Sequence, residues 1–301
     1  CGSFGAPSRE WLRILSSKGI GIWQFLPLAP TDSTGSPYSS PSGFALNPWF
    51  LDGKDLVKEG YILSSCLDKL PNESNVESGS LDFALADKRS QLLGRFLRES
   101  WLKQSRERHL IFKKWCRKQF WLEDHVTFMA LRSQNLEKPW WDWPEDLASY
   151  KKRALKRWKS ENHSKLLELS LVQWHLDRQW QEIRRIAKEL GILLIGDLPF
   201  YVSRDSVDVW SKRSLFSISF DGTMQIQSGV PPDYFSSTGQ LWGTPVYLWS
   251  RHQITRFRWW RRRFKQNLQN LDLLRLDHFR ALDSFWAIPG DRKTAEDGYW
   301  E

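Results

Sequence analysis

Long apolar runs are missing from this 301-residue chain. No stretch of about 18 apolar residues occurs, which excludes a transmembrane helix, and no basic-then-apolar leader opens the sequence. Cysteine is scarce: Cys1, Cys66 and Cys116 are odd in number and far apart. Neither a disulfide frame nor a CxxC metal site can be read from them; reduced thiols fit, and a cytoplasmic protein is expected. There is also no His/Cys cluster and no Gly-rich phosphate loop after a strand, so no metal or organic cofactor is implied. The signature of disorder is absent too. At 41% hydrophobic content the chain can bury a core as one large domain or two ordinary ones. An initiator Met is lacking, so the chain is expected to begin inside a longer protein, a lipid-bearing Cys1 being the alternative.

Tryptophan and basic residues are what the chain has in excess. Nineteen tryptophans supply flat amphipathic rings of the kind that stack on sugar faces, yet Trp11, Trp174, Trp180 and Trp260 lie in helical patterns where burial is expected. The 44 Lys and Arg outnumber 35 Asp and Glu, a formal charge of +9, with clusters at Lys151–Arg157 and Arg256–Lys265. A nucleic-acid partner is one reading of such clusters. A solvated helix face is the other: Phe257, Trp260 and Phe264 at helical spacing would point inward and leave the cations outside. No zinc-finger spacing or RNP-type motif accompanies the charge, so no nucleic-acid partner is expected, and no membrane.

Three units of helix, stop signal and strand follow one another along the chain. The first is a short helix from Pro7-Ser8, with Ser8 as N-cap and Trp11, Leu12 and Leu15 inward; it stops at Gly19 and leads into a buried strand over 20–28. A Ser/Pro/Gly loop over 30–41 contains Ser36-Pro37-Tyr38. The second unit is the helix of Leu169, Val172, Leu176, Trp180, Ile183, Ala187 and Leu190, closed by Gly191 and followed by the strand Ile192–Pro199. The third is a helix over Phe257–Leu268 and a strand over Leu271–Asp277. Residues 51–165 carry helices without strands, around 82–110 and 111–134, and a Trp-Pro corner at 139–144. They read as an inserted helical subdomain between barrel units at 1–50 and a continuation at 166–301. The expected fold is α/β: roughly the first half of a (β/α)₈ TIM barrel, whose active sites form at the C-terminal ends of the strands. A doubly wound sheet competes, but lacks its phosphate loop. Gly229–Gly243 reads as a long, proline-stiffened loop, a substrate-contacting arm.

The octet Leu273-Leu274-Arg275-Leu276-Asp277-His278-Phe279-Arg280 is where chemistry concentrates. Alternation along a strand puts Arg275 and Asp277 on one side, where the guanidinium favours the ionised carboxylate that a nucleophile needs. A structural ion pair at a strand end is the alternative.

Several stretches together resemble the 4-α-glucanotransferases (amylomaltases, disproportionating enzymes) of the α-amylase clan. They are Trp23–Leu28, Ser36–Ser40 with Asn47-Pro48, Ile195–Pro199, Gly229–Gly243, and Leu274–Ala281 running on to Trp286–Pro289, in the family's order. The resemblance implies that Asp277 is the catalytic nucleophile, Arg275 its charge partner and His278 a hydrogen-bond donor to the attacked glucose. It also implies that Tyr38 and Asp197 belong to the same subsite, and that Tyr234, Phe235 and Trp242 lie along a loop over the glucan. The implied partners are α-1,4-glucans and maltooligosaccharides. Three departures stand out: Asp32-Ser33-Thr34-Gly35 lacks the aromatic of a remote glucan site; Thr244 replaces an Asn, weakening an acceptor-side contact; and Ala281 replaces a Gly. Retaining transfer needs two carboxyl groups about 5 Å apart. Asp277 supplies one. In the family the acid/base Glu and a stabilising Asp lie on later strands, and Glu301, after Gly298-Tyr299-Trp300, does not match that Glu.

Overall fold

The computed structural model describes residues 2–71 and 81–301. Helix α1 (Ala6–Ser17) carries Pro in its first turn, where a missing N–H costs nothing, and buries Leu12 and Leu15. Its N-cap is Gly5 rather than Ser8, whose hydroxyl instead donates to the Ser3 carbonyl. Trp11 stays 44% exposed, contrary to expectation, because the inward stripe of so short a helix is only as wide as Leu12 and Leu15. Gly19 follows in the left-handed conformation, φ +72°, which a side chain would strain. Strand β1 (Ile22–Gln24) has three residues, and Ile22 is 52% exposed. The expected buried strand over 20–28 is therefore short and half-covered, as an edge strand is.

Helices α2 (Gly53–Lys58), α3 (Phe83–Trp101) and α4 (Arg106–Lys118) are each capped by a side chain, from Asp52, Asp82 and Ser105. The helices expected around 82–110 and 111–134 are three, with different breaks: the Ser105 cap starts α4, and a second break precedes α5 (Leu122–Gln134). Short α6 (Glu145–Ala148) and α7 (Lys152–Glu161) follow. The basic cluster of α7 is a solvated face, with Leu155 and Trp158 buried opposite. The Trp-Pro corner packs as core, Trp143 lying 5.2 Å from Phe128. Helix α8 (His163–Glu189) buries Leu171, Val172, Trp174, Leu176, Trp180 and Ile183, packs against both α3 and α5, and ends at Gly191, φ +71°.

Strand β2 (Leu193–Leu198) runs next, then α9 (Val207–Ser211), strands β3 (Ile226–Val230) and β4 (Gln240–Pro245), helices α10 (Trp249–Ile254) and α11 (Arg258–Asn270), and strands β5 (Leu273–Leu276), β6 (Trp286–Pro289) and β7 (Tyr299–Trp300). Strands β1, β2 and β5 form a parallel sheet in the order β1-β2-β5, each preceded by its helix α1, α8 or α11, the arrangement of part of a (β/α) barrel. Trp23, Leu194 and Leu274 join one core with α1, α3 and α8. The alternate side chains Ile22, Leu193 and Leu273 lie exposed on the other face.

A second sheet, antiparallel in the order β4-β3-β6-β7, corrects the reading of 229–243 as a loop. Both ends of that stretch are strands paired through Gly229↔Leu241 and Val230↔Gln240, leaving 231–239 as the connection. Gly229 permits the pairing, since a Cβ there would lie 2.2 Å from the Gln240 carbonyl oxygen. Helix α11 holds a further correction. Phe257 sits outside it at φ +52° and is exposed, while Arg263, expected among the outward cations, is 2% exposed. Among the described residues no helix is long and apolar enough to cross a membrane.

Candidate active site

The C-terminal ends of β2 and β5 bring the carboxylates together. In the sheet register Asp197 lies opposite Arg275, and the Asp277 N–H donates to the Leu198 carbonyl at 3.1 Å, so Asp277 stands one step beyond the last paired residue. Arg275 reaches both acids: its Nη2 is 3.1 Å from Asp277 Oδ1 and its Nε 3.6 Å from Asp197 Oδ1. Opposite charge from Asp197 first, then the hydrogen bond to Asp277, raises the Arg275 pKa further. The Tyr38 hydroxyl donates to Asp197 Oδ2 at 2.7 Å. Burial, together with that bond to a carboxylate, pushes the phenol up to about 12. The four groups form one chain, Tyr38–Asp197–Arg275–Asp277, joining the loop after β1 to the ends of β2 and β5.

Exposure separates the two acids. The Asp197 side chain is 1% exposed and enclosed by Tyr38 and Arg275. The Asp277 side chain is 40% exposed, and among the described residues only its Oδ1 is engaged, by Arg275.

His278 takes a left-handed conformation, φ +51°, and caps the 3₁₀ turn Phe279–Leu282. For a residue with a Cβ this is a strained geometry, which turns the ring away from the strand direction. The imidazole meets Trp242 edge-on at 4.8 Å and lies 6.1 Å from Tyr201. Burial lowers its pKa, with Arg280 adding to that and Asp277 pulling the other way, which favours the neutral ring. Trp242, on β4, is steadied by its Nε1 donating to Gln240 Oε1 at 3.2 Å. Thr244, two residues on, shares a hydrogen bond with Ser228.

Tyr234 and Phe235 are not brought into this cluster. They sit at the tip of the 231–239 connection, 98% and 91% exposed, edge-on to each other at 5.7 Å. Asp233 Oδ1 accepts the N–H groups of Phe235 and Ser236 and so fixes the turn.

One residue was missed by the sequence reading. Tyr201 lies buried against Trp242 at 6.2 Å and stacks on Tyr247 at 5.8 Å with 13° between planes, completing an aromatic wall beside His278. Its signal was the Phe200-Tyr201 pair directly after Asp197-Leu198-Pro199. Among the described residues no group of three or more His, Cys, Asp or Glu side chains is placed to hold a metal ion.

A family model described as 4-alpha-glucanotransferase matches residues 1–301. Among curated proteins, the 4-alpha-glucanotransferase of Synechocystis sp. is 38% identical over 301 residues, covering 99% of this chain and 59% of that protein. The 4-alpha-glucanotransferase of Aquifex aeolicus is 37% identical over 304 residues, covering 99% and 60%. Among solved structures, the amylomaltase of Streptococcus agalactiae in complex with acarbose superposes with a TM-score of 0.92 at 30% identity, over 99% of this chain and 60% of that one. The chain therefore spans about 60% of the length of these relatives.

Proposed function

Since the chain belongs to the 4-alpha-glucanotransferase family, we propose that the protein carrying it moves α-1,4-glucan segments between maltooligosaccharides and longer α-glucans, with retention at the anomeric carbon. The observation that carries this is the single guanidinium of Arg275 bridging Asp277 and the buried Asp197. Asp277 Oδ2 attacks the anomeric carbon, the glycosidic C–O bond breaks, and the 4-hydroxyl of an acceptor sugar later displaces the carboxylate. Arg275 holds Asp277 Oδ1 at 3.1 Å and aims the carboxylate. His278, neutral and fixed, donates to a hydroxyl of the attacked glucose, and Tyr38 and Asp197 line the same subsite, the phenol stacking on the sugar. Trp242 flanks the chain of sugars, and Tyr234 and Phe235 close over it from the arm. That the similar Streptococcus agalactiae amylomaltase was solved in complex with acarbose supports a glucan-type ligand.

The second carboxyl group, which protonates the leaving oxygen, is assigned to sequence outside these 301 residues. Asp197 does not take that role, because Tyr38 and Arg275 enclose it. Residues 1–50 and 166–301 are read as barrel units and 51–165 as the helical insertion. With Cys66 and Cys116 free, a cytoplasmic setting is proposed.

Maltotriose is the test. The full-length protein is expected to yield glucose together with maltopentaose and longer products; glucose and maltose without chain lengthening would indicate hydrolysis, and no turnover would indicate a noncatalytic glucan-binding protein. Asp277→Asn should lower turnover by at least about 10³-fold while maltotriose binding, followed by calorimetry, persists. Residues 1–301 alone should leave maltotriose untouched.

A further inference from the structure

Arg263 is a buried cation that the chemistry above does not use. It lies on α11 and forms no ion pair among the described residues; its guanidinium is spent on backbone instead. Nη2 donates to the Pro199 carbonyl at 2.7 Å and Nη1 to the Phe200 carbonyl at 2.9 Å. The same Phe200 oxygen accepts from the Tyr247 hydroxyl at 2.6 Å, and that hydroxyl lies 3.3 Å from Arg263 Nη1. The faces of Trp259 and Trp260 lie 5.2 and 5.4 Å from the guanidinium carbon. The buried Asp208 carboxylate attracts the guanidinium without bonding it, which offsets part of the cost of burying the charge but does not account for where its hydrogen bonds go. What only arginine supplies is a rigid fork that takes two successive carbonyls at once. Those carbonyls belong to the two residues between the strand that ends at Asp197-Leu198 and Tyr201 of the aromatic wall.

We propose that Arg263 is a positioning residue: from the outer helix it fixes the Pro199–Phe200 corner, and thereby sets Tyr201 against Trp242 and His278 beside the nucleophile. Tyr247 completes the clamp, bonding the corner through its hydroxyl and stacking on the Tyr201 ring. The functional consequence rests on the glucan-transfer reading; the geometric consequence does not.

Two measurements separate them. In the full-length protein with maltotriose, Arg263→Met should raise KM about tenfold and change kcat less than about threefold, as loss of a sugar-contacting wall rather than of the nucleophile. Tyr201→Ala should do the same, and the double variant should lie within about twofold of either single one, because both remove one wall. Effects on KM that multiply would overturn the proposal. Arg263→Lys, reaching one carbonyl, should fall between wild type and Arg263→Met. Should Arg263→Met fail to fold, Tyr247→Phe removes the second donor to Phe200 and is expected to raise KM about threefold; an unchanged KM in it and in the Lys variant overturns the assignment.

The second measurement needs no turnover. His278 is packed by Phe200, Tyr201 and Trp242 and faces the charges of Asp277 and Arg280. Loosening the wall rehydrates the imidazole, so its NMR titration, assigned through His278→Gln, should move up toward an ordinary histidine in Arg263→Lys and Tyr247→Phe. A titration identical to wild type overturns the proposal, whereas absence of maltotriose turnover in the wild type removes only the glucan-transfer reading.

Discussion

Replacing Tyr38 by Phe removes one hydroxyl and leaves everything else in place. That hydroxyl donates to Asp197 at 2.7 Å, and the Asp197 side chain is 1% exposed, so water is poorly placed to take over. A hydrogen bond to a charged acceptor contributes about 1.5–3 kcal/mol. Arg275 still faces the other oxygen at 3.6 Å, which sets the expected loss at the lower end, about 1.5–2 kcal/mol. With a urea m-value of about 3 kcal/mol/M for a chain of this size, the midpoint should fall by about 0.5 M. The pH dependence has a definite sign. Tyr38 is raised from 10.0 to about 12, so the native state holds this proton more tightly than the unfolded chain does. The contribution is fully present below about pH 10 and is lost as pH rises toward 12. Urea titrations of wild type and Tyr38→Phe should therefore differ by a constant amount up to pH 10 and converge above it. Equal midpoints at pH 7, or a gap that stays constant through pH 11, would refute the account of a buried carboxylate held by this phenol.

Truncating both tip aromatics, Tyr234→Ala with Phe235→Ala, should change folding stability by less than about 0.5 kcal/mol because neither ring is buried, while transfer to long glucans falls more than transfer to maltotriose; equal losses on both would remove the arm from substrate contact. Gly290→Ala places a Cβ 1.8 Å from the Met224 carbonyl oxygen, a backbone clash that should cost more than about 2 kcal/mol in urea denaturation and disturb the β3–β6 pairing. Arg275→Lys keeps one positive charge but not two separated donors; it should lower the maltotriose transfer rate about 10²-fold and leave the urea midpoint nearly unchanged, since the side chain is half exposed.

The parts of the site legible in the sequence were those that break a local pattern. Asp277 and Asp197 each end an apolar run, where a carboxylate gains nothing from packing, and the parallel strands followed from helix, glycine and strand recurring in order. The Tyr38–Asp197 bond spans 159 residues, and no local pattern encodes such a contact; the family resemblance put the two residues in one subsite without giving the bond. Arg263 was misplaced for a physical reason. A basic residue among basic residues at helical spacing belongs outside by default, and the bare carbonyls after β2 together with the nearby buried Asp208 make the inside favourable. The hairpin of β3 and β4 was hidden by its own composition. Gly229, the prolines at 231 and 232 and the serines that follow are loop residues, yet Gly229 serves as the close approach between strands. Ile22 and Trp11 were over-buried because hydrophobicity predicts a preference for cover, whereas cover depends on which neighbours exist.

The pairing of Asp197 with Arg275 is a property of strand register before it is a property of a site. A slip of one residue between β2 and β5 would set Arg275 opposite Gly196 or Leu198 and turn its side chain to the other face of the sheet. Tyr38 would then bond a carboxylate with no cation beside it. Assembly of the Tyr38–Asp197–Arg275–Asp277 cluster and alignment of the sheet are thus a single event: a misaligned molecule would lose the whole cluster at once rather than part of it.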